Sequence, residues 1–199
     1  EIDFLETVPV ALLPVVEKEK DIRIIESPGQ SYDYMAYNFD GSNFPSGVSP
    51  FAGKKTRQAI AYAVNRQGMV DSVLQGHGTL INGPFLPDSW ANTPELAFNY
   101  PYDPEKAKQL LAEDGWVPGP DGILEKDGVR FEFDLLTNAG NARRENFCAI
   151  IQQNLREVGI KVNLKPLDFA ALVDEHIGPG RFQAFVLGWS LSLDPDAES

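Results

Sequence analysis

The 199-residue chain holds one cysteine and two histidines, so three familiar kinds of chemistry are thinly supplied. A single thiol, Cys148, cannot form an intrachain disulfide, and the redox compartment is not readable from disulfides. Cys148 sits in an apolar helical pattern and reads as a core thiol. His77 and His176 lie far apart with no metal-ligand spacing, so no metal site is expected. Bases are also scarce, 17 Lys and Arg against 29 Asp and Glu, a formal net charge of -12. Nucleic-acid binding needs clustered Lys and Arg, so it is excluded; the acidity reads as plain solubility. No run approaches the ~20 apolar residues of a membrane span. No basic segment followed by an apolar one opens the chain as a leader would. Catalytic signatures are missing as well: there is no G-x-S-x-G elbow, no H-E-x-x-H, no P-loop and no Cys with a nearby His. Acidic pairs are plentiful, but among 29 acids chance pairing is expected, and nothing orients a hydrolytic dyad.

Hydrophobic residues make up 43% and charged residues 23%, enough for a packed core in one large domain or two small ones. The chain starts in mid-pattern with "EIDFLETV". It ends on "FQAFVLGWSLSLDPDAES", where an apolar run leaves the core, presents polar groups and stops. Both ends read as cuts in something longer.

Along the chain, "DIRIIESPG" (21–29) is expected to be a strand closed by a turn. "SYDYMAYNF" (31–39) has aromatics on alternate positions, again a strand. "DGSNFPSGVSPFAG" is a loop by composition. Ile60, Ala63, Val64, Val70, Val73 and Leu74 repeat at helical spacing over 54–76, with a break at Asn65-Arg66. Residues 77–102, rich in Gly, Pro and Asn, read as a long irregular excursion. Asp103, Pro104 and Gly115 punctuate a helix as N-cap, first residue and stop. "ILEKDGVRFEFDLL" reads as a hairpin around Asp127-Gly128, with Val129, Phe131, Phe133 and Leu135 on one face.

The last third is the most ordered. Strand 129–137, helix 143–158 with its stripe of Phe147, Ile150, Ile151, Leu155 and Val158, strand 160–166, a helix from Asp168 to Ile177 and strand 182–188 alternate. The expected fold class is α/β: a mixed sheet with a parallel β-α-β-α-β section and helices on its faces. Ligands of parallel sheets bind at the carboxyl edge of the strands. Two segments end there, "TNAGNARRE" and "GWSLSLDPD". The first offers the amides of Asn138 and Asn141, a close backbone approach at Gly140 and a helix N-terminus suited to an anion or carbonyl oxygen. The second offers Trp189 as a flat apolar surface, the hydroxyls of Ser190 and Ser192, and the Asp194 carboxylate. Each also has a plain structural use: Asn138 and Asn141 as turn and cap residues, Trp189 as a hydrophobic plug, Asp194-Pro195-Asp196 as a turn.

Five stretches converge on a known family. "TRQAIAYAVNRQGMVDSVLQGHGTLINGPF" resembles the helix-and-loop signature of family-five extracellular solute-binding proteins, the peptide, oligopeptide and nickel-type receptors of ABC importers. "YMAYNF", "YDPEKAKQLLAEDGW", "NARRENFCAIIQQNLREVGIKVNL" and "GWSLSLDPD" match further elements of that family in order. The resemblance implies a type II periplasmic-binding-protein-like architecture of two lobes. Residues 1–199 would be the C-terminal lobe, a single domain truncated at both crossovers. It implies a periplasmic or extracellular location, with a lipid anchor on the preceding segment. Its partners would be a small, peptide-like solute, an importer permease and the other lobe, with no cofactor and no catalysis. The alternative is a ligand-sensing domain of a transcriptional regulator with the same fold. Two positions depart from the family pattern. Some peptide receptors place an Asp where Ser192 stands, and dipeptide binders place an Arg near Asn138, which carries no charge. Both departures argue against a free dipeptide and leave longer peptides, sugars or other solutes.

Overall fold

A computed structural model describes residues 4–5, 8–27 and 29–191. In chain order, a helical turn α1 (Leu13–Val16) precedes strand β1 (Ser31–Tyr37). Helices α2 (Lys54–Ala63), α3 (Arg66–Val73) and α4 (Pro104–Glu113) follow. Three short strands come next, β2 (Val117–Pro118), β3 (Leu124–Lys126) and β4 (Val129–Arg130). The chain then runs through β5 (Glu132–Asn138), α5 (Ala142–Glu157), β6 (Lys161–Leu167), α6 (Phe169–Ala171) and β7 (Ala184–Ser190).

Local chemistry explains these boundaries. Asp103 accepts the Lys106 N–H at 2.8 Å, Pro104 opens α4, and Gly115 takes φ 92° just beyond its end. The break between α2 and α3 is held from both sides. The Asn65 side chain caps α3 by accepting from Gly68 N at 2.8 Å, while the Asn65 N–H donates to the Asn154 side chain of α5 at 3.0 Å. Asp127 and Gly128, at φ 51° and 78°, make the two-residue turn of the β3–β4 hairpin, the pairing a type I′ turn requires.

The main sheet has the order β1-β7-β5-β6. β5 runs parallel to β6 on one side and to β7 on the other, and β1 runs antiparallel to β7. The mixed sheet with a parallel β-α-β-α-β section is therefore present. One face packs on the larger core, where Phe51, Phe133, Leu135, Val186, Ile151 and Leu155 are buried. The other buries Leu136, Phe185 and Leu187 against Leu172. Leu172 begins a wide π-type turn, Leu172–Ile177, that continues α6. The Asn38 amide, just past β1, donates to Gly180 O and Phe182 O, both at 2.9 Å, and so fixes the loop that enters β7. Cys148 is buried, and burial pushes its thiol up to about 11.

Two expectations need correction. Residues 22–27 form no strand, and Ile22, Ile24 and Ile25 are exposed. A short apolar run becomes a strand only with a partner and a face to bury, and this one has neither among the described residues. The expected strand 129–137 is two strands. Val129–Arg130 pairs in a small β2-β3-β4 sheet, and the main sheet starts at Glu132. The buried Phe131 lies between them.

β5 begins at the sheet edge opposite its Asn138 end with a charged cluster. Glu132 lies 2.8 Å from Lys161 and 3.1 Å from Arg130, and accepts from Asn163 at 3.1 Å. The Lys161 hydrogen bond, then that of Asn163, lowers its pKa from the ordinary 4.5 to about 2. A carboxylate with a depressed folded pKa stabilises the native state fully above its unfolded pKa and loses that contribution as pH falls towards the folded one. Stability should therefore drop between pH 4.5 and about 2, by about 1 kcal/mol once solvent screening is allowed for. Acid titration followed by circular dichroism checks it: Glu132→Gln should remove that share of the decline.

Candidate functional site

The parallel strands bring their carboxyl ends to one edge. β5 ends at Asn138, β6 at Leu167 and β7 at Ser190, and the antiparallel β1 starts there at Ser31, opposite Ser190. Trp189 stands opposite Tyr32 and is 54% exposed, so its ring is not a plug in the core of this chain. Beneath it an aromatic series runs into the interior. Tyr32 and Tyr34 have ring centroids 5.9 Å apart, Tyr34 meets Phe185 edge-on at 5.9 Å, and Phe185 meets Phe182 at 4.8 Å. Burial, then the neighbouring Tyr32, raises the Tyr34 phenol above its usual value. Ser190 is exposed beside Trp189. Phe169, two residues past the end of β6, adds a second exposed ring at the same edge.

Asn138 and Asn141 have distinct uses. Asn141 caps α5, its side-chain oxygen accepting from Arg144 N at 3.1 Å. Gly140, at φ 79°, donates its N–H to Glu145 Oε1 at 2.8 Å. Much of the donor capacity expected of this turn for a ligand is thus spent inside it. Asn138 accepts at Oδ1 from Arg144 Nη1 at 2.9 Å. Ser192 and Asp194, the remaining sequence candidates, lie outside the described residues.

The sequence reading missed Asp33, Arg143, Arg144 and Gly188. The Asp33 carboxylate takes Arg144 Nε at 2.8 Å and Arg143 Nε at 3.0 Å. The side chains of Asp33 and Arg144 are each only 15% exposed. Gly188, the partner of Asp33 across β1 and β7, leaves the room: a Cβ there would collide with Arg144 Nη2 and stand 2.7 Å from Asp33 Oδ1. Asn138 carries no charge, but Arg144 places one against it. The signals were an acid inside the aromatic strand "SYDYMAY" and the Arg pair of "TNAGNARRE".

Two surface recesses, of about 300 and 220 Å³, lie elsewhere; Leu111, Trp116, Leu124 and Val158 line the first, and Arg66, Leu80 and Tyr100 the second. Among the described residues no cluster of three or more His, Cys, Asp or Glu could hold a metal. No described helix is long and apolar enough to cross a membrane.

The family model for bacterial extracellular solute-binding proteins, family 5 (middle region), matches residues 1–199. The chain belongs to this family. Among its family 5 relatives is the oligopeptide-binding protein AppA of Bacillus subtilis (strain 168), 37% identical over 192 residues, which cover 95% of this chain and 34% of that protein. Heme-binding protein A of Haemophilus influenzae is 32% identical over 94% of this chain and 31% of its own length. The structure of AppA in complex with a nonapeptide superposes with a TM-score of 0.81 over 95% of this chain and 37% of that one. The oligopeptide-binding protein of Thermus thermophilus complexed with pentapeptide, at 32% identity, gives 0.77 over 85% of this chain and 29% of that one. This family 5 chain therefore spans about a third of the length of the curated relatives it matches.

Proposed function

We propose that residues 1–199 are one lobe, the C-terminal one, of a two-lobe receptor that captures a peptide-like solute and delivers it to an ABC-importer permease. The open edge carrying Trp189 supports this reading most directly. A half-exposed indole beside Tyr32, with Ser190 and Asn138 nearby, offers apolar area and hydrogen bonds together, the mixture a solute wall needs. AppA and the Thermus protein are named for oligopeptides and were solved with peptides bound, which favours a peptide over other solutes. The charge that Arg144 adds at Asn138 weakens one of the two sequence arguments against a free dipeptide. The receptor reading stands above the regulator because the relatives are themselves binding proteins. The role needs no bond making: binding free energy drives the lobes together about a hinge. Such a receptor works outside the cytoplasmic membrane, and a lipid on a preceding segment would hold it there.

The test uses a receptor-length protein that contains this chain and pentaalanine as probe. Trp189→Ala should weaken binding by roughly 1–3 kcal/mol, the scale for losing a buried aromatic contact. Calorimetry reads it directly. Unchanged affinity together with lowered stability would return Trp189 to a structural role and sink the site.

A further inference from the structure

Arg144 sits where four parts of the edge meet. Nε donates to Asp33 of β1 at 2.8 Å, Nη1 donates to Asn138 at the end of β5 at 2.9 Å, and the group covers the bare Cα of Gly188 in β7. Its own backbone N–H is held by the Asn141 cap. Arg143 occupies the second oxygen of Asp33, so that carboxylate is engaged on both sides. The guanidinium is therefore fixed in position.

A guanidinium carries donors only. The atom of the Asn138 amide that faces it must be the oxygen, because the reverse flip would set donor against donor. Nδ2 then occupies the other side of the amide, with no hydrogen-bond partner among the described residues, and Asn138 is only partly buried. We infer that Arg144 acts as a positioning residue that locks Asn138 as a hydrogen-bond donor to the ligand. The ligand group at this point is then an acceptor, a peptide carbonyl or a terminal carboxylate oxygen, and not an amino group. This rests on the reading that Asn138 faces the solute. Without Arg144 the amide could turn and offer either face, and the site would lose that discrimination.

The experiment uses a nitrogen-15-labelled receptor-length protein that contains this chain, titrated with pentaalanine to saturation. It follows the Trp189 indole and Asn138 side-chain amide resonances. Both should move along one curve. Asn138→Asp keeps an oxygen towards Arg144 but replaces the donor by a carboxylate. It should raise half-saturation at least fivefold while the melting temperature stays level or rises, a split that a merely structural role would not produce. Arg144→Met should broaden the Asn138 amide signal as it samples both flips. Pentaalanine amide distinguishes the two acceptors: unchanged binding marks a main-chain carbonyl, and a fivefold loss marks the terminal carboxylate. If the Trp189 signal moves while the Asn138 amide stays still, or if Asn138→Asp binds as tightly as the wild type, the donor assignment is overturned and the site survives. If neither signal moves, the site falls with it. Should Asn138→Asp fail to fold, the wild-type amide signal decides between the same outcomes.

Discussion

Titrated with one peptide under one set of conditions, this chain alone should bind at least a thousandfold more weakly than a receptor-length protein that contains it. On the proposed reading the edge at Trp189 is one wall of a cleft, with its indole 54% exposed and the two recesses described above elsewhere on the surface. A single wall covers about half of a ligand, where well-formed sites bury ~70–90%. Immobilising the ligand costs ~4 kcal/mol or more whether one wall is present or two. A micromolar complex at about -8 kcal/mol must then draw about -12 kcal/mol from its contacts, and losing half of them leaves about -2 kcal/mol, a dissociation constant of tens of millimolar. Calorimetry on both proteins decides the matter. Equal affinities would place the whole site within these residues and end the two-wall account.

The second large effect lies in the core. Phe51→Ala should destabilise the fold by about 3–5 kcal/mol, the usual cost of deleting a fully buried aromatic ring. Phe51 is completely buried. Its ring centroid lies 4.9 Å from that of Tyr37 in β1, 5.0 Å from Phe133 in β5, 5.9 Å from Phe44 and 6.2 Å from Phe131. It thus joins β1 to β5 across the sheet, so its loss should also loosen the edge that holds Trp189. Urea unfolding gives the magnitude. A change below about 1 kcal/mol would mean that the neighbouring rings close the space.

The contrast between these two residues shows what the sequence could convey. β7 and Trp189 were legible because a continuous apolar run followed by polar residues is the pattern of a central strand leaving the core. The α5 stripe was legible for the same periodic reason, and Phe147, Ile151, Leu155 and Val158 are indeed buried. Phe51 was hidden. It sits in "DGSNFPSGVSPFAG", where Gly, Ser and Pro announce a loop, and composition cannot say that the loop turns one ring inwards. Ser49 makes that turn: its hydroxyl donates to Asn38 O at 2.7 Å and accepts from Phe51 N at 3.2 Å. The strand expected over 21–29 failed for the opposite reason, since local pattern cannot supply a missing neighbour. Arg144 and Asp33 are 111 residues apart. A contact of that range depends on strand order, and pairing two charges among so many acids has no signature in a single chain. The edge itself was foreseeable, but the ion pair that organises it was not.

The solitary thiol has a practical consequence. Cys148 is buried in α5 and titrates only at about 11, so near neutral pH almost none of it is thiolate, the form that alkylating reagents attack. The native protein is thereby a quiet background for site-directed labelling. A cysteine introduced at the exposed Ser190 would be the one reactive sulfur, and a dye attached there would stand next to the Trp189 indole. Indoles quench many fluorophores on contact, so a solute that covers Trp189 would change the brightness of the dye. The same economy of cysteine that withholds any disulfide from this fold makes it ready to be turned into an optical reporter of its own ligand.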